Sequence, residues 1–199
     1  MWTLFTNIGD AAVTLPVAAI CIGWLARFNV RLAWRLVGAL AGGMAIVGAT
    51  KIIYAGWGIS IPATDFRVIS GHTMLSTSVW TVAITLQMKW WRLPPLPGVG
   101  AGMAIGALTG FARVVDHSHS FPEAIAGWFL GTLVAVFFLR AAINVEFERF
   151  RPVGFTLSLL LVSTLAYGHE APLQDLIDAH SPAIHRHMPS VRAILGQIR

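Results

Sequence analysis

Six long apolar stretches, parted by short polar connections, constrain this chain more than any other feature. They run over residues 10–28, 34–54, 72–88, 96–113, 122–140 and 152–168. A helix needs about 20 apolar residues (range ~17–25) to cross the hydrocarbon core of a bilayer. A backbone in hydrocarbon must also satisfy its own N–H and C=O groups, and a helix does this within one segment. The pattern therefore predicts an all-α polytopic membrane bundle of about six transmembrane helices. Charged residues make up only 12% of the 199 residues, against about 25% in soluble domains, and the mean hydropathy is +0.69.

Residues 1–168 read as one membrane-embedded domain, with no internal repeat. Residues 169–199 read as an amphipathic extramembrane tail. Leu173, Leu176, Ile177, Ile184, Met188, Val191, Leu195 and Ile198 recur there at roughly helical spacing, as in a helix lying on a bilayer surface. Pro182 and Pro189 would start or break short helices. Segment 72–88 is rich in Ser and Thr, so it is expected to face protein rather than lipid. Gly38, Ala41, Gly42, Ala45 and Gly48 are small enough to let membrane helices pack closely. Pro94, Pro95, Pro97 and the pair Arg151-Pro152 mark breaks. The longest connection within the bundle, residues 56–70, is a candidate functional loop.

The formal charge is +5, but the basic residues sit between apolar segments and form no continuous face. That excludes a nucleic-acid footprint and points to topology. Arg27, Arg31, Arg35, Lys89, Arg92, Arg140, Arg149 and Arg151 all fall on alternate connections, which makes that face cytoplasmic by the positive-inside rule. Within the bundle, the opposite face carries Lys51, Arg67 and Arg113. The expected location is the bacterial inner membrane, with that second face outward. Cys21 is the one cysteine, so no internal disulfide forms. The first apolar stretch lacks a basic leader region, so a cleaved signal peptide is not expected.

The chemically capable residues gather at the outward ends. Lys51 closes segment two, Ser70-Gly71-His72 opens segment three, Arg113 closes segment four, and His119 and Glu123 lead into segment five. A helix N-terminus attracts anions through its unpaired N–H groups. Ser70 is a good N-cap, and Gly71 lets backbone approach a ligand. The guanidinium of Arg113 matches phosphate oxygens. Lys51 adds a point charge, and Arg67 lies in the same loop. Two histidines beside an oxyanion site suggest phosphoryl transfer through a covalent step: one imidazole attacks phosphorus and the other protonates the leaving oxygen. Glu123, four residues after His119, is one helical turn away.

Ser70-Gly71-His72 and Arg113-x5-His119-x3-Glu123 resemble the type 2 phosphatidic acid phosphatase (PAP2) superfamily, which includes the vanadium haloperoxidases. The family pattern reads Lys-x6-Arg-Pro, then Pro-Ser-Gly-His, then Ser-Arg-x5-His-x3-Asp. The likeness covers residues 51–127. It implies that His119 is the nucleophile that becomes phosphohistidine, that Glu123 orients it, and that His72 is the general acid. Lys51, Ser70, Gly71 and Arg113 match phosphate ligands, and the phosphatases of the family need no metal or other cofactor. The chain departs from the pattern at five places. Gly58 stands where the first motif has Arg and no Pro follows it, Ile69 replaces Pro, Ala112 replaces Ser and Glu123 replaces Asp. Arg67 is a candidate to supply the missing charge.

Other polar residues have plainer readings. His117 has the wrong spacing for the nucleophile and reads as loop. Asp116 reads as a surface acid, and Trp57, Phe66 and Phe121 as interfacial anchors or as guides for a lipid chain entering the pocket. His169, His180, His185 and His187 read as solvated residues of the tail. The expected activity is removal of phosphate from a membrane lipid phosphate or diphosphate, such as undecaprenyl diphosphate, phosphatidylglycerol phosphate, phosphatidic acid or a lipid A phosphate. Its alternatives are a lipid phosphotransferase, or a non-catalytic lipid- or haem-binding bundle. Haem would call for paired His at mid-helix depth.

Overall fold

Each helix starts where the sequence supplies a cap. The computed structural model describes residues 7–142, 144–145 and 152–166. Six α-helices of at least 15 residues run through them: α1 Ala11–Ala26, α2 Val30–Trp57, α3 Gly71–Trp90, α4 Leu96–Val115, α5 Phe121–Ala142 and α6 Pro152–Ala166. A 3-10 turn covers Pro62–Thr64. The described residues are all-helical apart from one isolated antiparallel bridge between Ile61 and Phe66. The amphipathic helix expected over the tail lies outside the described residues.

Asp10 caps α1 by accepting from the Ala12 N–H at 2.7 Å. Asn29 caps α2 by accepting from the Leu32 N–H. Such caps satisfy N–H groups that have no partner inside the helix. α2 runs 28 residues, longer at both ends than its apolar stretch. It stops at Gly58, which takes the left-handed conformation (φ 65°) and donates to the Tyr54 carbonyl. Lys51 therefore stands more than a turn inside the end of α2 rather than closing it.

Among the described residues, three helices are long and apolar enough to cross a membrane: α2, α4 and α5. α1 and α6 are apolar but shorter. α3 has 20 residues, and its Ser and Thr make it more polar. α3 is nevertheless the central helix, packed on α4 and α5 and also touching α1, α2 and α6. Ser76, Thr77, Ser78, Thr81 and Thr85 are fully buried on it. Buried hydroxyls are costly unless bonded. Thr77 and Ser78 donate to the carbonyls of Thr73 and Met74, at 2.7 and 2.8 Å, and Ser76 pairs with Thr109 of α4 at 2.8 Å.

The close packing follows a glycine ladder. Gly98, Gly102, Gly106 and Gly110 of α4 face Thr85, Thr81, Thr77 and Thr73 of α3 in turn, and a Cβ added at any of them would crowd that threonine. On the other side of α3, a Cβ at Gly127 or Gly131 of α5 would press on the Ser70 or Met74 carbonyl. The small residues expected to do this in segment two behave differently. A Cβ at Gly38, Gly42 or Gly48 would meet nothing within 4 Å, and only Gly43 packs closely, against Val134 and Met74.

The outer surface is apolar. Phe137 of α5 and Leu161 of α6 are at least 60% exposed, and Trp34, Phe129 and Leu157 are exposed beside them. Exposed apolar area of this extent suits lipid rather than water. The core buries Leu25, Leu36, Leu86, Phe138 and Phe155, with Trp90 set edge-on against Phe155 at 4.0 Å.

Helix directions alternate. Ser70 at the start of α3 donates its N–H to the Glu123 carbonyl at the start of α5. At the other end, Lys89 near the end of α3 donates to the Ala142 carbonyl at the end of α5, at 2.7 Å. One end of the bundle thus gathers the starts of α1, α3 and α5 and the ends of α2 and α4.

Candidate active site

The spacing Arg113-x5-His119 is the length of one helix-ending turn. α4 stops at Val115, Asp116 caps it, and His117 takes the left-handed conformation at φ 54°. That reversal lets the N–H groups of Ser118 and His119 both donate to the Arg113 carbonyl, at 3.1 and 3.2 Å. Positive φ is uncommon outside glycine, so His117 has a backbone task. It also lines the cavity described below.

α5 then begins with half of a capping box, the return bond from its acid. The Glu123 side chain reaches back to the Ser120 N–H at 3.1 Å, and the Ala124 N–H donates to the Ser120 carbonyl. The same carboxylate oxygen accepts from His119 Nδ1 at 2.8 Å. An ionised carboxylate only accepts, so Nδ1 carries the hydrogen and Nε2 keeps its lone pair. The other oxygen of Glu123 accepts the N–H groups of Arg67 and Val68, at 2.8 and 3.1 Å. Glu123 therefore fixes the histidine and clasps the 56–70 loop across the same side chain. Burial pushes the His119 pKa below its ordinary 6.5. Glu123 opposes that shift, while the charges of Arg113 and His72 add to it.

These residues border a cavity of about 690 Å³ lined by Lys51, Arg67, Arg113, His117, His119 and Glu123, together with backbone and side chains of their neighbours. The structure thus brings together Lys51 of α2, Arg67 of the loop, Arg113 of α4, His119 of the α4–α5 turn and Glu123 of α5, all singled out in the sequence. Arg113 Nε and Ser120 Oγ are buried and have no hydrogen-bond partner among the described residues. Arg67 lines the cavity, with its guanidinium held by Asp65 at 2.9 Å. That pairing raises the Arg67 pKa.

The three residues at the start of α3 sit differently. Ser70 is fully buried, and its hydroxyl accepts from the Thr73 N–H and pairs with Thr73 Oγ1 at 2.9 Å. Gly71 gives room for α2, since a Cβ there would lie 3.3 Å from Val47 Cγ1. Neither lines the cavity. Their part is to cap and seat α3. His72 also lies outside the lining, and its Nε2 donates to Asp10 Oδ2 at 3.2 Å. Asp10 was not singled out in the sequence. One signal was available: it is the sole acidic residue in the first 64 positions. Ala112 is fully buried and so adds no cavity ligand. Gly58 caps α2.

A second, apolar groove of about 260 Å³ runs between α4 and α5. Phe111, Phe121, Ile125 and Trp128 form its walls, and Val114 lines both this groove and the charged cavity. Phe121 is thus a groove residue. Trp57 and Phe66 line neither space. The tail histidines lie outside the described residues.

No family model matches the chain, and no solved structure matches it. A Klebsiella pneumoniae protein described as an uncharacterized 22.5 kDa protein in the cps region is 36% identical over 149 aligned residues, which cover 69% of this chain and 68% of that protein. Identity at that level over two thirds of both chains shows common descent, and this protein belongs to the family of that Klebsiella protein.

Proposed function

We propose that this protein is a lipid phosphatase of the PAP2 type, working through a phosphohistidine on His119. The observation that carries the reading is the His119–Glu123 pair at 2.8 Å. It fixes the tautomer with Nε2 as the nucleophile, beside a cavity that holds three cationic side chains. Nε2 attacks phosphorus, and the bond from phosphorus to the lipid oxygen breaks with its electron pair going to that oxygen. Arg113 and Lys51 balance the charge on the transferring oxygens. His72 gives the leaving oxygen a proton. Water then attacks the phosphohistidine, the P–N bond breaks, and His72 takes the proton from that water.

The apolar groove supports a lipid substrate, because a chain lying in it would end where Val114 joins the cavity. All six helices span the membrane in this reading, α1 and α6 as short spans and α3 shielded by its neighbours. The cavity opens on the outer face of the inner membrane, since Arg27, Arg31, Arg35, Lys89, Arg92 and Arg140 belong to the opposite end. Wild-type protein in detergent should release phosphate from at least one of phosphatidic acid, phosphatidylglycerol phosphate and undecaprenyl diphosphate. His119→Ala should abolish that release while its circular dichroism is unchanged. Undiminished release by His119→Ala would refute the reading.

A further inference from the structure

The two histidines are held in parallel ways. His119 donates Nδ1–H to Glu123, and His72 donates Nε2–H to Asp10. We propose that Asp10, at the start of α1, is the positioning residue for His72, orienting its ring and, by holding Nε2–H, leaving Nδ1 to deliver the proton to the leaving oxygen. This inference rests on the phosphatase reading and assigns a role to a helix, α1, that lies outside the matched motifs.

The geometry is specific. Asp10 uses its two oxygens for different tasks: Oδ1 caps α1 through the Ala12 N–H, and Oδ2 meets the His72 ring 62 residues away. The cap fixes where the carboxylate stands, because Oδ1 is bonded to the turn it begins. The Asp10 side chain is 14% exposed and that of His72 30% exposed. A carboxylate so shielded acts on its partner more strongly than a solvated one would. With Nε2–H committed to Asp10, Nδ1 of His72 is the nitrogen left to give the proton, and it has no hydrogen bond among the described residues. The residue before Asp10 also lies against this end of α3, since a Cβ at Gly9 would stand 3.4 Å from the His72 carbonyl.

His72 is bonded to Asp10 at the start of α1, and its charge acts on His119 in the α4–α5 turn. When the P–O bond breaks, the Nδ1–H proton of His72 moves to the lipid oxygen and the ring becomes neutral. It is positive again after taking a proton from the hydrolytic water.

A positioning role for a general acid separates from a structural role by leaving group. An alkyl oxygen leaves poorly and needs the proton, whereas p-nitrophenolate leaves without it. General acid catalysis contributes about 10²–10⁴-fold. Asp10→Asn keeps an N-cap residue and removes the charge. It should lower kcat on phosphatidic acid at least tenfold more than on p-nitrophenyl phosphate. Asp10→Ser, another good cap, should behave alike, and Asp10→Glu should recover part of the loss. An equal loss on both substrates, or no loss on either, would overturn the role of Asp10. His119→Ala run beside these variants separates the two claims. If His119→Ala stays active, the phosphatase mechanism itself fails. If only His119→Ala is inactive and Asp10→Asn matches wild type, the role of Asp10 fails alone.

Discussion

Glu123 receives four hydrogen bonds through two oxygens, from His119, Ser120, Arg67 and Val68. An amide in its place has one acceptor and one donor, so whichever way it turns, an NH₂ faces two N–H groups. Glu123→Gln should therefore cut phosphate release by about 10³–10⁴-fold, as loss of the orienting carboxylate does in a serine triad. The pH profile gives a second reading of the same contact. Nucleophilic His119 must be neutral, and burial holds its pKa below 6.5 with Glu123 pulling the other way. The acid limb of kcat/KM should lie below pH 6.5, and in Glu123→Gln it should move lower still, because the carboxylate that favours the proton is gone. An acid limb above pH 7 would contradict this. The His119 and Glu123 pairing was readable in the sequence because both spacings are local, one helix-ending turn and one helix-starting turn. Asp10 was not, because its contact with His72 joins two helix starts far apart in the chain. The hydroxyl of Ser70 and the missing side chain of Gly71 also serve neighbours that sequence spacing does not specify.

The glycine ladder sets how closely α4 and α5 approach α3, and so where their ends stand around the cavity. Gly106→Ala would push a methyl into Thr77. Overpacking of this kind costs about 1–3 kcal/mol, which should show as a lower thermal midpoint in detergent. Gly100, on the same helix, has nothing within 4 Å of an added Cβ. Gly100→Ala should be neutral or stabilise by up to about 1 kcal/mol through helix propensity. Similar losses for both would mean that the ladder does not govern packing. The apolar stretches foretold six helices and where they lie, since hydropathy and length are properties of the segment itself. Their ends moved where polar caps extend a helix past its apolar part, as Asn29 and Gly58 do for α2. The partners of small residues were less legible. Gly38, Gly42 and Gly48 share the spacing of interface residues, but such spacing only permits close approach and does not choose a neighbour.

Over the whole molecule, one end carries the cavity and the other most of the basic residues of the connections. If the positive-inside rule governs, the cavity faces outward. Cys21, the one native cysteine, is buried, so single introduced cysteines report cleanly. Ile59→Cys at the cavity end should react with a membrane-impermeant maleimide in intact cells, and Leu93→Cys at the other end should not. Both positions are about half exposed, so the reverse pattern would invert the orientation. The central claim is the covalent step, and trapping tests it most directly. Wild-type protein mixed with a ³²P-labelled lipid phosphate and quenched in alkali should carry acid-labile, base-stable label on the peptide that contains His119, and His119→Ala should carry none. Wild-type protein that turns over without such label, or label that persists in His119→Ala, would contradict the account.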